Sequence, residues 1–420
     1  MSFLYSFAFS YNTNMKHIAI IGGGASGLMA ALFAARSGAN VTLYEHNTSV
    51  GKKILASGNG RCNIINTTAT HADYAGSDPQ FVTYALKQMN FHYFQSFCSS
   101  IGLLLDVKDD GRCYPLSNEA KSVLISLKGA IVDAGVKILT ECAVTSLSKD
   151  SNGFIVASAH DKRRYDNVLI ATGSEAAPQL GAAGDGYAFA RSFGHEIIPT
   201  YPSLVQLHLS SKHAPKMAGV KTVAEVTLVI DGKSNTKVTG DILFASYGIS
   251  GLAILDISQK ASYALLHKQR VSLTLNLLPQ FDRQTLTNTL EKLFTSIPTQ
   301  TIQNALCGLL PAKIVTYLLE DAAIALSARV STLNPKEIKK LAYLIGEWKF
   351  DVTDTHGFKH AEVSGGGVST IQVNPKTMES KLVEGLYFAG EVLDIVGKRG
   401  GYNFNFAWAS GMIAGKEIAK

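Results

Sequence analysis

The sequence predicts an α/β protein whose Rossmann-like domain is written in two segments with other material inserted between them. Three observations predict it. The first is "HIAIIGGGASGLMAALFAARSGANVTLYEHN", residues 17–47, which reads as a strand at 17–21, a helix at about 26–37 and a strand at 40–45. The second is "NVLIATGS", residues 167–174, a buried strand that runs into a glycine turn. The third is "GLYFAGEV", residues 385–392, a short apolar strand ending in glycine and followed by a helix at about 404–418. The period changes between the second and the third, so the parallel-sheet domain is interrupted and resumed.

The remaining elements follow in chain order. Helical patterns occupy about 80–101 and 119–134, and short strands with a turn at Ser151-Asn152-Gly153 fill about 136–170. From about 200 to 280, "LVQLHLS", "AEVTLVID", "DILFAS" and "VSLTLNLLP" read as strands of a small β-rich domain. Four helices then follow in "RQTLTNTLEKLFTSI", "TQTIQNALCGLL", "PAKIVTYLLEDAAI" and "NPKEIKKLAYLIG". The domain reading is therefore 15–199 and 357–420 for the Rossmann-like domain, 200–282 and 345–356 for the β-rich domain, and 283–344 for a helical subdomain.

A chain of 420 residues has room for two or three domains, and 46% hydrophobic with 17% charged residues is an ordinary globular balance. The net charge of +6 is scattered; its densest cluster, Lys162, Arg163 and Arg164, reads as a solvated strand end, so no nucleic acid partner is expected. Five cysteines, at 62, 98, 113, 142 and 307, show no C-x-x-C spacing. They read as free thiols in a reducing, cytoplasmic setting, without a structural zinc or other metal. Residues 1–14 are apolar but carry no basic start and no cleavage pattern, so a signal peptide is not expected, and Met15 is a candidate start. Residues 18–35 approach the length of a membrane span, but three central glycines mark a strand-turn-helix, and no membrane partner is expected.

The chemistry begins at Gly22, Gly24 and Gly27, a G-x-G-x-x-G placed after a strand, with Ala25 and Ser26 opening the helix. The first glycine permits the turn, the second lets backbone approach a pyrophosphate, and the third allows close packing of helix on strand. The helix start offers free N–H groups and a positive dipole end to phosphates. Glu45, eighteen residues beyond Gly27, is placed to accept hydrogen bonds from ribose hydroxyls. Three features favour FAD over NAD: Ala171-Thr172-Gly173 after a mid-chain strand, Gly390-Glu391 after a late one, and the helix that follows. Such a terminal helix pointing its start at the flavin would favour negative charge there.

"ILASGNGRCNIIN", residues 54–66, has no clear period and could be a thiol site, a metal site or a cradle for a polar ligand. It follows Glu45, so it leaves the sheet at the ligand-bearing edge. Gly58 and Gly60 allow close approach, and Lys53, Asn59 and Asn63 supply donors. Cys62 has Arg61 beside it but no assigned base, and it reads as packing rather than as a nucleophile.

At this point the sequence resembles the HI0933-like flavoproteins, also called the BaiN-type or aminoacetone-oxidase-like family. The matching stretches are "IIGGGASGLMAA", "GKKILASGNGRCNIIN", "GRCYPLS", "GISGLAILDIS" and "VSGGGVSTIQVNPKTMESKLVEGLYFAGEVLDIVGKRGGYNFNFAWASGMIAG". The resemblance implies a two-dinucleotide-binding FAD domain in two segments, with a β-barrel-like domain and a helical insertion between them. It implies that the loop at 54–66 wraps a non-covalent FAD. The cofactor-binding set then extends to His46, Lys52, Lys53, Arg61, Cys62, Val144, Asp185, Gly401, Tyr402, Asn403 and Phe404. This chain departs from the pattern at Ala245-Ser246-Tyr247, at Leu252 and in "GGYNFNFAWASG", which puts substrate identity in doubt rather than the cofactor.

The expected function is an FAD-dependent oxidoreductase that uses NAD(P)H to reduce a small or medium organic substrate. A flavin-dependent oxidase of a small amine using O2 is the runner-up, and an FAD-dependent RNA-modifying or RNA-binding protein ranks third. No second G-x-G-x-x-G follows a strand, so a nicotinamide would visit the flavin transiently. Three further candidates carry open readings. Arg112 and Tyr114 either face a substrate cavity or brace a turn. Asp185 is either a helix cap or a cofactor contact. His356 and His360 have i, i+4 spacing, but Gly357 between them argues against a metal pair.

Overall fold

The computed structural model describes residues 15–420; the start and leader readings for residues 1–14 lie outside the described residues. The chain divides into two units. One comprises residues up to Pro199 together with Gly366–Lys420, and the other is Thr200–Gly365.

The first unit is built on a five-stranded sheet in the order Leu386–Phe388, Asn167–Ile170, His17–Ile21, Asn40–Tyr44, Lys137–Leu139. Every neighbouring pair is parallel. Parallel strands are covered on both faces, which is why Ile18, Ile20, Val41, Leu43, Val168 and Leu169 form near-continuous apolar runs rather than an alternation, all at most 1% exposed. Because the strands run the same way, the segments that follow them, 22–24, 45–47, 171–173 and 389–391, emerge at one edge.

The first helix, Ala25–Arg36, packs against the C-terminal helix, Tyr402–Ile418, which begins two residues earlier than its sequence pattern suggests. Their close approach rests on two small positions one turn apart. A Cβ at Gly411 would lie 2.4 Å from the Ser26 carbonyl oxygen, and one at Gly415 would lie 2.4 Å from that of Ala30. The helical pattern at 80–101 is two helices, Val82–Gln88 and Phe91–Ser100. Asn90 caps the second, its side chain accepting the Tyr93 amide at 3.0 Å, and a cap inside a continuous apolar pattern ends one helix and starts another.

The second unit contains a closed barrel in the order Leu207–Ser210, Gly248–Ser250, Lys233–Ala245, Lys221–Ile230, Val271–Asn276, Trp348–Thr355. The expected helices appear as Arg283–Ser296, Ile302–Cys307, Ala312–Ala322 and Pro335–Gly346, and they share one hydrophobic cluster with the barrel. A helix at Leu252–Leu266 was not expected in a stretch that otherwise reads as strands. Its buried face is Ala253, Ser258, Ala261, Ser262 and Ala264 with two isoleucines, so the apolar stripe that would reveal it is faint.

The chain returns to the first unit at Gly365/Gly366, nine residues later than the 356/357 reading. Residues beyond Thr355 stay with the barrel unit through backbone bonds: the His356 amide to the Gln206 carbonyl at 2.8 Å, and the Glu362 amide to that of Leu204 at 3.3 Å.

Gly411→Ala tests the helix contact. Alanine is the better helix former by about 1 kcal/mol. The clash with the Ser26 carbonyl should outweigh this and leave the variant about 1–3 kcal/mol less stable in urea unfolding. Equal or greater stability would show that the helices are not held at this spacing.

Candidate functional site

The glycine turn sits at the sheet edge, with the Gly22 amide bonded to the Tyr44 carbonyl at 2.8 Å. Two of the three motif glycines are required by the protein itself. Gly22 has φ +109°, and a Cβ there would lie 2.4 Å from the Ala171 carbonyl oxygen. A Cβ at Gly27 would lie 1.9 Å from that of Gly22. Gly24 differs: its φ of −80° suits any residue, and a Cβ there would meet nothing within 4 Å. It heads the first helix, which has no side-chain cap and no acid in its first turn, so the amides near Ala25 and Ser26 face no competing side-chain oxygen. Open approach to an uncapped helix start fits the pyrophosphate of a dinucleotide.

Glu45 lies just beyond the second strand and is 6% exposed. Its Oε2 accepts the Gly23 amide at 2.9 Å, and its Oε1 accepts the backbone amide and the Nδ2 of Asn47, both at 2.8 Å. His46 Nδ1 is 3.5 Å from the same carboxylate. Asn47, which the sequence reading missed, also accepts Lys52 Nζ at 2.6 Å. Its only sequence signal is adjacency to Glu45. The Glu141 and Cys142 amides bond to the Asn47 and Glu45 carbonyls, each at 2.9 Å, which draws the strand beginning at Val144 alongside.

The loop at 54–66 joins this edge through Gly51, whose amide donates to the Gly23 carbonyl at 2.8 Å. It is more ordered than its composition suggests: a short helix at Lys52–Ala56, then a tight turn at Ser57–Gly60. Gly58 and Asn59 are left-handed at φ 57° and 54°, and Gly60, at φ 81°, has open space at its Cβ position. Arg61 is exposed, donates from Nε to the Gly58 carbonyl at 3.3 Å and lies 5.4 Å from the Tyr114 ring centre. Cys62 is fully buried, and burial pushes its thiol up to about 11, the opposite of an activated nucleophile. Asn63 has its side-chain amide within 3.2 and 3.1 Å of the Cys113 and Ile65 carbonyls, contacts that assign its nitrogen to that side. Arg112 is bound to Asp110, with Nε to Oδ2 at 2.7 Å, which is the braced-turn reading.

The late segment converges on the same edge. Gly390 has φ 77°, and a Cβ there would lie 2.4 Å from Ser26 Oγ, which donates to the Ala389 carbonyl at 3.2 Å. Glu391 is held within the protein: Oε2 pairs with Lys53 Nζ at 2.6 Å and Oε1 accepts Ser174 Oγ at 2.9 Å. Sequence reading had assigned both Glu391 and Lys53 to the cofactor. Both are long enough to meet across the edge, so one closes the other's charge. Thr172 Oγ1 is buried without a partner, 2.1 Å from where a Cβ on Gly186 would sit, and Gly173, at φ 76°, is open.

Asp185 does not cap its helix. Gly184 does, at φ 71°, and Asp185 is the exposed first residue, where its charge favours the helix dipole. Gly401 caps the C-terminal helix at φ 98°, with no side-chain cap and no acid in the first turn. A Cβ on Gly401 would lie 2.4 Å from the Ile65 backbone carbon, so this glycine answers to the protein before any ligand. Asn403 turns back on the loop, accepting the Gly397 amide at 2.8 Å and donating to its carbonyl at 2.9 Å. The Tyr402 carbonyl accepts from the Tyr74 hydroxyl at 2.8 Å, and Phe404 stacks on Trp408 at 5.5 Å. His356 and His360 belong to the other unit.

A split parallel sheet with a bare glycine turn, an acid-tied second strand and an uncapped terminal helix at one edge defines a Rossmann flavoprotein oxidoreductase. The chain belongs to the HI0933-like family: the family model described as "HI0933-like protein Rossmann domain" matches residues 16–417. It is 37% identical over 408 residues to a 3-dehydro-bile acid delta(4,6)-reductase of Clostridium scindens, covering 97% of this chain and 100% of that one. It is 33% identical over 407 residues to a ribosomal RNA dihydrouridine synthase of Haemophilus influenzae, covering 96% and 98%. In fold it resembles the 3-ketosteroid delta1-dehydrogenase of Sterolibacterium denitrificans, with TM-score 0.52, 13% identity and coverage of 97% and 100%. Among the described residues, no helix is long and apolar enough to cross a membrane.

Cys307 is exposed and the other four thiols are buried. A thiol reagent should therefore modify Cys307 rapidly in the native protein and leave Cys62 untouched until unfolding. Fast labelling of Cys62, mapped by mass spectrometry, would contradict the packing assignment.

Proposed function

We propose that the chain binds FAD non-covalently at this edge and reduces a carbon–carbon double bond conjugated to a carbonyl, with NAD(P)H as the transient hydride donor. The observation that carries the cofactor reading is Gly24: nothing in the chain requires a glycine there, whereas a pyrophosphate approaching the helix start does. The amides at the start of the first helix hold phosphate oxygens, and Glu45 receives ribose hydroxyls with the lone pairs left free by Gly23 and Asn47. The turn at Gly58–Gly60 offers backbone, and the uncapped start of the C-terminal helix favours negative charge beside it. Bound there, FAD supplies hydride transfer.

The substrate class is supported by what the relatives' names share. A delta(4,6)-reductase of a 3-dehydro acid and a dihydrouridine synthase both saturate a double bond conjugated to a carbonyl. The names differ in size of substrate, and those of two relatives favour a second reading, reduction of a uridine in RNA. The amine oxidase reading has no such support. Anaerobic mixing of the yellow protein with NADH or NADPH, followed by a steroid enone or by unmodified ribosomal RNA, separates these. Bleaching by a nicotinamide and re-oxidation by the enone supports the first reading, and re-oxidation by RNA alone supports the second. Bleaching by a small amine but by neither nicotinamide would overturn both.

Glu45→Ala removes one partner of three buried or half-buried N–H groups as well as the ribose ligand. FAD affinity should fall by about 1.5–3 kcal/mol, the scale of hydrogen bonds to a charged group. Unchanged affinity in a fluorescence titration would show that Glu45 is purely structural.

A further inference from the structure

The barrel unit carries a cluster of titratable rings that the flavin reading does not use. His208 lies on the strand Leu207–Ser210, Tyr247 in the turn before Gly248–Ser250, and His356 and His360 just beyond Trp348–Thr355. Leu207 is in register with both Ile249 and Thr355, so the three segments meet at one rim of the barrel. A bulge falls between His208 and Leu209, and bulges re-aim the side chains beside them. The rings touch. His208 Nε2 is 2.8 Å from His356 Nδ1, Tyr247 stacks on His356 at 3.9 Å and 17°, and His360 lies 4.1 Å from His356 on centroids. None of the four is buried, and Gly357, at φ 78°, leaves open space at its Cβ position.

Among the described residues, no carboxylate is within ion-pair distance of these three imidazoles. Two neutral imidazoles 2.8 Å apart share one hydrogen-bonding proton; one added proton makes a single imidazolium that keeps this bond, and protonating both rings brings like charges together. Partial desolvation first, then the neighbouring His360 and His208, hold His356 below the usual imidazole range. The charged neighbours are Asp354, in register with His208 and accepting the Thr355 amide, and Lys359 and Glu362, which flank His360 in sequence. The Gln206 side-chain oxygen is buried without a partner on the residue whose carbonyl takes the His356 amide. No three His, Cys, Asp or Glu side chains among the described residues are placed to hold a metal ion. An oxyanion is therefore the ligand that would make a further proton favourable here.

We propose that His208, Tyr247, His356 and His360 form an oxyanion site of the barrel unit that takes up a carboxylate or phosphate group together with a proton. Binding then strengthens as pH falls, because the liganded cluster holds a proton that the free cluster releases. One coupled proton sets a limit of about tenfold in affinity per pH unit.

The test is isothermal titration of the flavin-loaded full chain with acetate and, separately, inorganic phosphate. It is run at pH 6 and pH 8, in two buffers of different ionisation heat. Uptake of about one proton, with tighter binding at pH 6, is expected. Acetate binding without phosphate assigns a carboxylate, and the reverse a phosphate ester. His208→Gln and His356→Gln should each weaken binding about tenfold or more while flavin content is unchanged. Should either fail to fold, the exposed His360→Gln carries the same expectation. Absence of heat at pH 6, pH-independent affinity, or wild-type affinity in the folded variants would overturn the proposal.

Discussion

The buried carboxylate of Glu45 holds the candidate site together. It accepts the Gly23 amide from the glycine turn on one oxygen and two N–H groups of Asn47 on the other. It thereby ties the end of the first strand to the segment after the second. Asn47 passes the constraint to Lys52, and the Glu45 and Asn47 carbonyls take the Cys142 and Glu141 amides. An acidic side chain this deep is tolerated because each oxygen is hydrogen-bonded, and the same bonds fix the glycine turn. Lys53 and Glu391 close the edge in a similar way from the far end of the sequence.

Around that clasp, the glycines fall into two physical classes. Gly22, Gly27, Gly390, Gly401, Gly411 and Gly415 lie where a Cβ would strike the Ala171, Gly22, Ile65 or Ala30 backbone, or Ser26. They are the conditions for packing the C-terminal helix on the first helix and both against the sheet. Gly24, Gly60 and Gly173 face open space. Gly60 and Gly173 have positive φ that already calls for glycine, so of these three only Gly24 reports on a ligand, and the G-x-G-x-x-G spacing by itself mixes the two classes.

The parallel sheet, the glycine motif and Glu45 were legible in the sequence because each rests on a short local pattern: an apolar strand, a turn that needs glycine, an acid at a fixed distance. The position of the C-terminal helix was legible for the same reason. What was not legible is the set of bonds that several proposed ligand residues make within the protein. Lys53 and Glu391 read as two ligand residues but neutralise each other across 338 positions. Asn63 and Asn403 look like exposed donors in glycine-rich loops, yet Asn403 bonds to the Gly397 carbonyl and the Asn63 amide faces those of Cys113 and Ile65. The helix at Leu252–Leu266 was hidden by a buried face of alanine and serine, which gives hydrophobic periodicity little amplitude. The His208–His356 contact joins two strands 148 positions apart, and no local pattern could announce it.

The central claim is that the open side of the glycine turn belongs to a dinucleotide, and Gly24→Asn tests it most directly. Asparagine is among the best helix caps, φ at this position is −80°, and its Cβ would meet no protein atom within 4 Å. The side chain would cover the helix start that the phosphates need. The measurement is the FAD dissociation constant of the variant, beside the thermal midpoint of its FAD-free form. The account predicts an unchanged or higher midpoint and an affinity weaker by about a hundredfold or more. Wild-type FAD affinity in a normally folded variant would contradict it and remove the first helix from the site.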